Sequence, residues 1–201
     1  DMGVYVSATN VETGRVRVFT RDELDCERVM ASACLPFLFQ AVEIEAEHYW
    51  DGGYMGNPVL FPFIDHSPTD DIVIVQINPV VRKGVPNTAR EILNRVNEIT
   101  FNGSLLRELR AIDFVHRLKD DGHLGEDYRA MRVHIIEARK KMRPLGASSK
   151  LNSEWAFLRH LFEIGREAAD RWLATNFDRL GEESTVDIRE MFQGLGARHH
   201  G

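Results

Sequence analysis

The amino-acid sequence predicts an α/β fold, and one apolar strand and one long helical pattern indicate it. Residues 72–77 are apolar at nearly every position, which is typical of a strand covered on both faces inside a parallel or mixed sheet. Between residues 88 and 119, apolar side chains recur at steps of three and four, which predicts one long helix or two abutting helices with a break near Gly103. A strand buried on both faces needs helices on each side, so the predicted class is α/β.

The length and charge of the chain limit its class. Its 201 residues fit a single domain, with a sheet portion at residues 1–80 and a mainly helical portion at residues 81–201. The 25 lysines and arginines are interleaved with 31 acidic residues, and the net charge is -6. Recognition of nucleic-acid phosphates needs a basic stripe, so no nucleic-acid partner is expected. A small or neutral ligand fits this composition better.

Cysteine and histidine usage argues against a disulfide and against a metal site. Cys26 and Cys34 lie two helical turns apart, a rise of about 12 Å that exceeds disulfide reach. Free thiols favour a reducing compartment such as the cytoplasm. The histidines form no HExxH motif and the chain has no CxxC, so no metal site is expected, and no cofactor is predicted. No apolar run approaches the roughly 18 residues of a membrane span.

The first fifty residues predict four strands. Residues 4–10 are rich in β-branched and aromatic side chains, and residues 15–19 alternate polar with apolar. A turn at residues 12–14 joins these two strands into a hairpin. Residues 41–44 and the aromatic residues up to Asp51 predict two further strand segments. The N-terminal strand and the strand at residues 72–77 are expected to lie in one mixed or mostly parallel sheet.

The connections between these strands are predicted from their polar and proline content. Asp22 and Glu23 are candidates to cap a helix over residues 27–34. Residues 54–66 contain two prolines and predict an ordered but irregular connection, and residues 65–71 predict an exposed loop.

The second half of the chain predicts an edge strand and a basic connection. Residues 122–127 predict a polar loop, and residues 133–136 a short strand at the sheet edge. Residues 139–150 predict a solvated loop, with contact to an anionic lipid surface as the alternative. That alternative would make the protein peripheral to a membrane. It rests on a cluster of four cations, Arg139, Lys140, Lys141 and Arg143.

Two helices are predicted to close the chain. The longer begins at a cap in residues 152–153 and runs to about Asn176, and a short helix at residues 186–192 has Ser184 or Thr185 as its candidate cap. The longer helix carries one apolar stripe, which predicts core packing, with binding of acyl chains as the alternative. The stripe consists of Trp155, Leu158, Leu161, Phe162, Ala168, Ala169, Trp172 and Leu173.

Asp51, Gly52 and Gly53 are the candidate chemical site. Asp51 stands at the abrupt end of an aromatic strand, and the two glycines free the backbone to turn. A general base needs a fixed carboxylate, and glycines beside it leave room for a nucleophile. A plain hairpin turn stays open as the alternative, because Asp-Gly is a common turn dipeptide.

Several short motifs within residues 4–80 share one order and spacing with a known family. They are Ser7-Ala8-Thr9-Asn10, Thr13-Gly14, Phe19, Ala31-Ser32-Ala33-Cys34-Leu35-Pro36, Phe39, Val42, Ile44, Tyr49-Trp50-Asp51-Gly52-Gly53 and Asn57-Pro58. Together they resemble the second half of patatin-like lipid acyl hydrolases. The agreement of separated motifs makes the resemblance more specific than Asp-Gly-Gly alone.

The resemblance implies a serine–aspartate dyad hydrolase with a three-layer α/β/α sheet, of which this chain is the C-terminal part and holds an incomplete set of strands. A serine in a GxSxG elbow attacks a lipid or other fatty acyl ester, and Asp51 accepts its proton. Gly52, Gly53 and Asn57 occupy motif positions that place the aspartate. Without a histidine, Asp51 takes the proton directly, which favours a partly desolvated carboxyl with a raised pKa.

The chain departs from the family pattern because it lacks the nucleophile. It contains no GxSxG and no glycine-rich oxyanion loop. In the family these motifs precede the segment that matches Val4, so the resemblance implies an upstream GxSxG-bearing segment or fragment as a partner. Two alternatives stay open: a non-catalytic patatin-like fragment or member acting as a binding or assembly module, and an acyltransferase that passes the acyl group to an acceptor other than water.

Overall fold

The computed structural model describes residues 2–125 and 127–194. Within these ranges the chain is a mixed α/β protein with one antiparallel and one parallel sheet, so the predicted class is confirmed. The strands are β1 (Tyr5–Asn10), β2 (Val16–Thr20), β3 (Val42–Ile44), β4 (Glu47–Asp51), β5 (Asp71–Gln76) and β6 (Arg132–Glu137). The α-helices are α1 (Cys26–Ser32), α2 (Phe61–His66), α3 (Ala89–Asp120), α4 (Arg139–Met142), α5 (Trp155–Asn176) and α6 (Ile188–Gln193).

The described strands form two sheets, where the sequence suggested one. The four N-terminal strands pair only antiparallel, in the order β2-β1-β4-β3, while β5 and β6 pair parallel. Short turns join β1 to β2 and β3 to β4, and a short turn permits only antiparallel pairing. The long helix α3 joins β5 to β6, which is the kind of crossover that parallel pairing requires. The predicted hairpin of β1 and β2 is confirmed.

The antiparallel sheet holds the strand that ends in Asp51. β1 lies beside β4 with Ala8 opposite Asp51. The turn from β3 to β4 is made by Glu45 and Ala46, which have φ angles of 54° and 65°. Helix α1 covers one face of this sheet. The resulting small core consists of Ala8, Phe19, Ala31, Ile44 and Tyr49.

Strand β5 is covered on one face only within the described residues, so the prediction of a strand buried on both faces is wrong there. Ile72 and Ile74 are buried, whereas Val73 and Val75 are 45% and 70% exposed. The buried face packs on α3 and α6, and it forms the larger of the two cores. This core contains Leu60, Ile72, Ile74, Leu105, Leu109, Ile112, Met131, Val133, Ile135 and Ile188.

Helix α3 is one continuous helix of 32 residues, and Gly103 does not break it. It begins with a capping box in which Thr88 and Glu91 exchange side-chain and backbone hydrogen bonds. Its C-terminal half packs on the larger core through Leu105, Leu109 and Ile112. Its N-terminal half differs from the prediction, because its apolar side chains Ile92, Val96 and Ile99 are exposed.

Two connections that were predicted to be irregular contain short helices. Residues 54–66 include α2, which has Pro62 in its first turn, where a proline lacks only a hydrogen bond that the first turn does not form. The basic connection at residues 139–150 begins with α4, and a 3-10 turn, Ala147–Leu151, follows it.

The observed helix caps differ from the predicted ones. Asp25 caps α1 by accepting a hydrogen bond from the Arg28 backbone, and Asp187 caps α6 in the same way from Glu190. The predicted cap residue Thr185 lies against β6 instead, where its backbone NH donates to the carbonyl of Val133. Asp22 and Glu23 instead lie in a 3-10 turn, Arg21–Glu23, that precedes α1, and α6 begins at Ile188, two residues later than its apolar pattern suggests.

Helix α5 begins after Glu154, which provides no side-chain cap, while Asn152 accepts a hydrogen bond from the Glu154 backbone. The predicted core-packing stripe is only partly buried. Ile164 and Ala168 are buried, and the helix contacts β6 along this face. Of the predicted stripe, Leu161, Ala169 and Trp172 are half-buried, and four side chains are exposed, namely Trp155, Leu158, Phe162 and Leu173.

The cysteines and helix lengths agree with two further expectations. Cys26 is an exposed free thiol and Cys34 a buried one. Among the residues that the structure describes, no helix combines the length and apolar character needed to cross a bilayer.

A buried ionic network joins β5 to β6. The Asp71 carboxylate accepts two hydrogen bonds from Arg132, at 3.0 and 2.8 Å, and one at 3.0 Å from the backbone NH of Gly181. The ring of His134, which is fully buried, lies 2.9 Å from the same carboxylate. The Arg132 hydrogen bonds, followed by those from Gly181, His134 and Thr69, hold the pKa of Asp71 far below its usual range.

Replacing Asp71 with asparagine should therefore destabilise the protein by about 3 kcal/mol, because Arg132 loses its counter-charge in a largely buried setting. A folded-state pKa below the unfolded one adds stability that is present above pH ~4 and is lost as the pH falls below it. In urea unfolding, the free energies of unfolding of the natural protein and of Asp71→Asn should become equal as the pH falls into the acid range. Asp70→Asn is the matched control: its ion pair with Arg129 is more exposed and should cost less than ~1 kcal/mol.

Candidate active site

Asp51 is fixed by its backbone and its side chain at the end of β4. Its backbone NH donates to the Cys34 carbonyl at 2.8 Å, and its own carbonyl accepts from the Thr9 hydroxyl at 2.9 Å. The side-chain oxygen Oδ1 accepts a 2.8 Å hydrogen bond from the backbone NH of Gly53. A 3-10 turn, Gly52–Tyr54, follows at once, with Asp51 as its cap. The aspartate is thus held in one orientation.

Gly52 and Gly53 are required by close approach and not by a left-handed backbone, since neither has a positive φ angle. A Cβ on Gly52 would lie 2.1 Å from the Ser7 carbonyl oxygen, which belongs to the neighbouring strand β1. A Cβ on Gly53 would lie 2.4 Å from the Phe101 ring of α3. The two glycines therefore let the turn pass between the antiparallel sheet and α3. The sequence analysis assigned these glycines to backbone freedom in a turn, whereas in the structure close contacts require them.

Asn57 ties the segment after this turn to α3. Its backbone NH donates to the Ser104 hydroxyl at 2.8 Å, and its side chain donates to the Phe101 carbonyl at 3.3 Å. The peptide bond between Asn57 and Pro58 is cis. Asn57 and Asp51 line the same cleft, so the structure brings the predicted site residues together.

This cleft, called the Asp51 cleft below, has a volume of about 480 Å³. Asp51 and Asn57 form one wall, the end of β5 forms another, and α3 contributes Phe101 and Asn102. The Asn102 side chain accepts from Gln76 at 3.3 Å and donates to the Pro79 carbonyl at 3.1 Å. These bonds attach α3 to the C-terminal end of β5.

Lys150 is a residue of the Asp51 cleft that the sequence analysis missed. Its ammonium group lies 4.3 Å from the centre of the Phe101 ring, and its side chain lines the cleft with Asp51. Asn102 was missed as well. A signal for Asn102 exists in the sequence, because it is a polar residue between Ile99 and Leu106 on the face that the apolar spacing of α3 assigns to the interior. No pattern in the sequence indicates Lys150.

The environment of Asp51 suits a proton acceptor. Burial raises the pKa of its carboxyl above that of an ordinary aspartate, and the Gly53 NH and the positive charge of Lys150 only partly oppose this rise. The same burial, together with the charge of Asp51, raises the pKa of Tyr54. A carboxylate of raised pKa binds a proton more readily at neutral pH, which is what general-base catalysis requires.

An apolar groove of about 250 Å³ adjoins the Asp51 cleft. The two share Phe101 and Lys150. The groove is lined mainly by apolar side chains, and Leu35, Phe37, Leu38, Tyr54, Leu93 and Leu151 form most of its wall. A ligand with a polar group at Asp51 and a hydrocarbon chain fits this combination.

Among the serines whose side chains the structure describes, none donates to the Asp51 carboxylate, whose hydrogen bond comes from Gly53. Ser7 donates to the Gly56 carbonyl, and Ser104 accepts from Asn57. Residues 2–125 and 127–194 also contain no group of three or more histidine, cysteine or acidic side chains placed to hold a metal ion. The site is thus a fixed carboxylate to which none of the described serine side chains donates.

No protein-family model matches the chain, and no curated protein matches it. The resemblance to patatin-like hydrolases accordingly rests on the motifs within residues 4–80.

Proposed function

We propose that this chain supplies the catalytic aspartate of a serine–aspartate lipid acyl hydrolase, which cleaves carboxylic esters of fatty acids or deacylates phospholipids. The observation that carries the proposal is the state of Asp51. It is held by the Gly53 NH, its pKa is raised by burial, and it faces a cleft that continues into an apolar groove. A structural turn aspartate also accepts such a backbone bond, but it needs neither a buried carboxyl nor a cleft beside it.

The proposed reaction follows from this geometry. The hydroxyl oxygen of a serine attacks the ester carbonyl carbon while Asp51 takes the hydroxyl proton. The tetrahedral intermediate expels the alcohol, which receives that proton from Asp51, and an acyl-serine remains. Water then attacks the acyl-serine and gives a proton to Asp51. The serine recovers that proton as the fatty acid leaves.

We further propose that the serine lies on a companion segment upstream of these residues, which completes a three-layer α/β/α arrangement. The exposed apolar surfaces support this. The side chains of Val73 and Val75 are exposed on the outer face of β5. On the N-terminal half of α3, Ile92, Val96 and Ile99 are exposed as well. Contiguous apolar faces of this kind mark surfaces that pack against a partner. Both faces adjoin elements that line the Asp51 cleft.

Contact with a lipid surface is part of the proposal, and α5 supports it better than the basic connection does. Two of the four cations of that connection are neutralised, since Arg139 pairs with Glu137 and Lys141 with Glu167. On α5, the exposed side chains of Trp155, Leu158 and Phe162 form an apolar strip. Arg159 and Arg166 flank the strip at helical spacing, and neither has an ion-pair partner among the described residues. An amphipathic helix with these residue types lies at membrane interfaces.

A fluorophosphonate probe, which reacts with activated serines, tests the function. In the full-length natural protein we expect stoichiometric labelling of one serine that lies outside these 201 residues, and loss of that labelling in Asp51→Asn, because the serine loses its base. The 201-residue chain alone should remain unlabelled. Mass spectrometry of peptides identifies the labelled residue, and Asp70→Asn serves as a carboxylate control outside the cleft.

Labelling of a serine within the 201 residues would contradict the proposed division of the site. Absence of labelling in the full-length protein, with hydrolysis of fatty acyl esters also absent, would favour the non-catalytic binding or assembly module.

A further inference from the structure

A basic cleft of about 310 Å³ lies between the N-terminal half of α3 and the segment that follows α4. Four cationic side chains line it, namely Arg82, Lys83, Arg95 and Arg143. They come from three places in the sequence, so the basic runs of the chain do not predict them as a group. In a protein with a net charge of -6, this concentration of positive charge is unusual.

Two of the cations are held in fixed positions by a buried carboxylate. Glu98 is 8% exposed and accepts from Arg82 at 3.0 and 3.1 Å and from Arg95 at 3.1 Å. Arg95 also donates to the Val80 carbonyl, and Arg82 to the carbonyl of Arg143. The wall of the cleft is therefore ordered before any ligand arrives, which reduces the entropy cost of binding.

The other two cations are free to bind an anion. Within residues 2–125 and 127–194, no carboxylate lies within 4 Å of the Lys83 ammonium or the Arg143 guanidinium. The carboxylate of Glu91, which also lines the cleft, already accepts hydrogen bonds from the backbone of Asn87 and Thr88 at the start of α3. The cleft thus offers unpaired donors and an excess of positive charge.

The basic cleft is adjacent to the Asp51 cleft. A cavity of about 70 Å³ shares Leu145 and Gly146 with the basic cleft. The same cavity shares Asn78 and Lys150 with the Asp51 cleft. Lys150 therefore lines both the intervening cavity and the Asp51 cleft.

We propose that the basic cleft binds a phosphate group, with Lys83 and Arg143 as its direct ligands. Guanidinium and ammonium groups form short, charge-assisted hydrogen bonds to phosphate oxygens. Given its position beside Asp51, the phosphate belongs to the acyl ester substrate, which is then a phosphate-bearing lipid. This assignment of the phosphate to the substrate rests on the proposed function, whereas phosphate binding itself does not.

Isothermal titration of the full-length protein tests the site with three probes: inorganic phosphate, dihexanoyl phosphatidic acid below its micelle concentration, and dihexanoylglycerol, which lacks the phosphate. We expect binding of the first two and at least about tenfold weaker binding of each in Lys83→Gln/Arg143→Gln. The matched control is Arg15→Gln/Arg107→Gln, which removes the same charge from exposed positions outside these clefts and should leave these affinities within about twofold.

The comparison of the three probes distinguishes a lipid phosphate from free inorganic phosphate. Tighter binding of the phosphatidic acid than of inorganic phosphate supports a lipid ligand, and equal binding supports a free phosphate site and removes the assignment to the substrate. Failure of both phosphate probes to bind, or equal weakening in the Arg15→Gln/Arg107→Gln control, overturns the proposal. Loss of hydrolysis would not change these affinities, so failure of the proposed function remains distinguishable.

Discussion

Asp51→Asn in the full-length protein is expected to lower the rate of ester hydrolysis by at least ~10³-fold, while its resistance to unfolding stays equal or rises. The amide cannot take a proton from a serine, but its oxygen can still accept the hydrogen bond from Gly53. Burial raises the folded-state pKa of Asp51, so ionisation of this carboxyl destabilises the folded protein. The measurements are kcat with a nitrophenyl ester and urea unfolding at neutral pH.

The pH dependence has the opposite sign to that of Asp71. A carboxyl whose folded-state pKa is raised contributes stability that is fully present below its unfolded pKa and is lost as the pH rises through the folded value. The Asp51→Asn variant should therefore gain stability relative to the natural protein as the pH rises, whereas Asp71→Asn should lose it. If Asp51→Asn retains a tenth of the hydrolysis rate, another group is the base. If the variant instead unfolds at much lower temperature or urea concentration, the role of Asp51 is structural.

Gly52→Ala should destabilise the protein by about 3 kcal/mol or more. Its new Cβ would stand 2.1 Å from the Ser7 carbonyl oxygen, and a backbone atom within a paired strand cannot move aside cheaply. The turn after Asp51 must then separate from β1, so activity should fall together with stability. Thermal and urea unfolding measure the first effect, and ester hydrolysis the second.

Gly103→Ala is the matched control for this prediction. Gly103 lies inside α3, and the nearest atom to the added methyl group would be the flexible end of Arg107, at 3.7 Å. Alanine in a helix interior is favoured over glycine by about 0.5–1 kcal/mol, so this variant should be slightly more stable. Equal unfolding midpoints for the two variants would show that the close approach at Gly52 is relaxed in solution.

Local patterns predicted the elements whose neighbours lie close in the sequence. The hairpin of β1 and β2 follows from alternation and a turn, and helical spacing predicts α3 but leaves open whether it continues through Gly103. The turn between β3 and β4 could not be found, because Glu45 and Ala46 adopt positive φ without the glycine or asparagine that usually marks such a turn. The partly exposed stripe of α5 could not be predicted, because spacing shows which residues share a face and not what covers it.

For the candidate site too, the sequence predicted only the residues that lie close together along the chain. Asp51, Gly52, Gly53 and Asn57 were identified because they lie close together in one motif-bearing stretch. Lys150 lies about a hundred positions away in the sequence and reaches the cleft through the packing of the segment after α4 against α3. The basic cleft could not be predicted for the same reason, since overall composition is acidic and only the fold gathers its four cations.

The separation of the two sheets has a consequence for the order of folding. The hairpins β1–β2 and β3–β4 pair across short turns, and β1 meets β4 when Thr9 finds Asp51, 42 residues further along the chain. The parallel pair β5–β6 closes a longer loop, because Asp71 and Arg132 lie 61 residues apart. Closing the longer loop costs more chain entropy before any contact repays it, so non-local pairing forms more slowly. The Asp51 carboxylate is in place once β1 meets β4. Its cleft, which needs the end of β5, Phe101 and Lys150, is assembled only in the last and slowest stage.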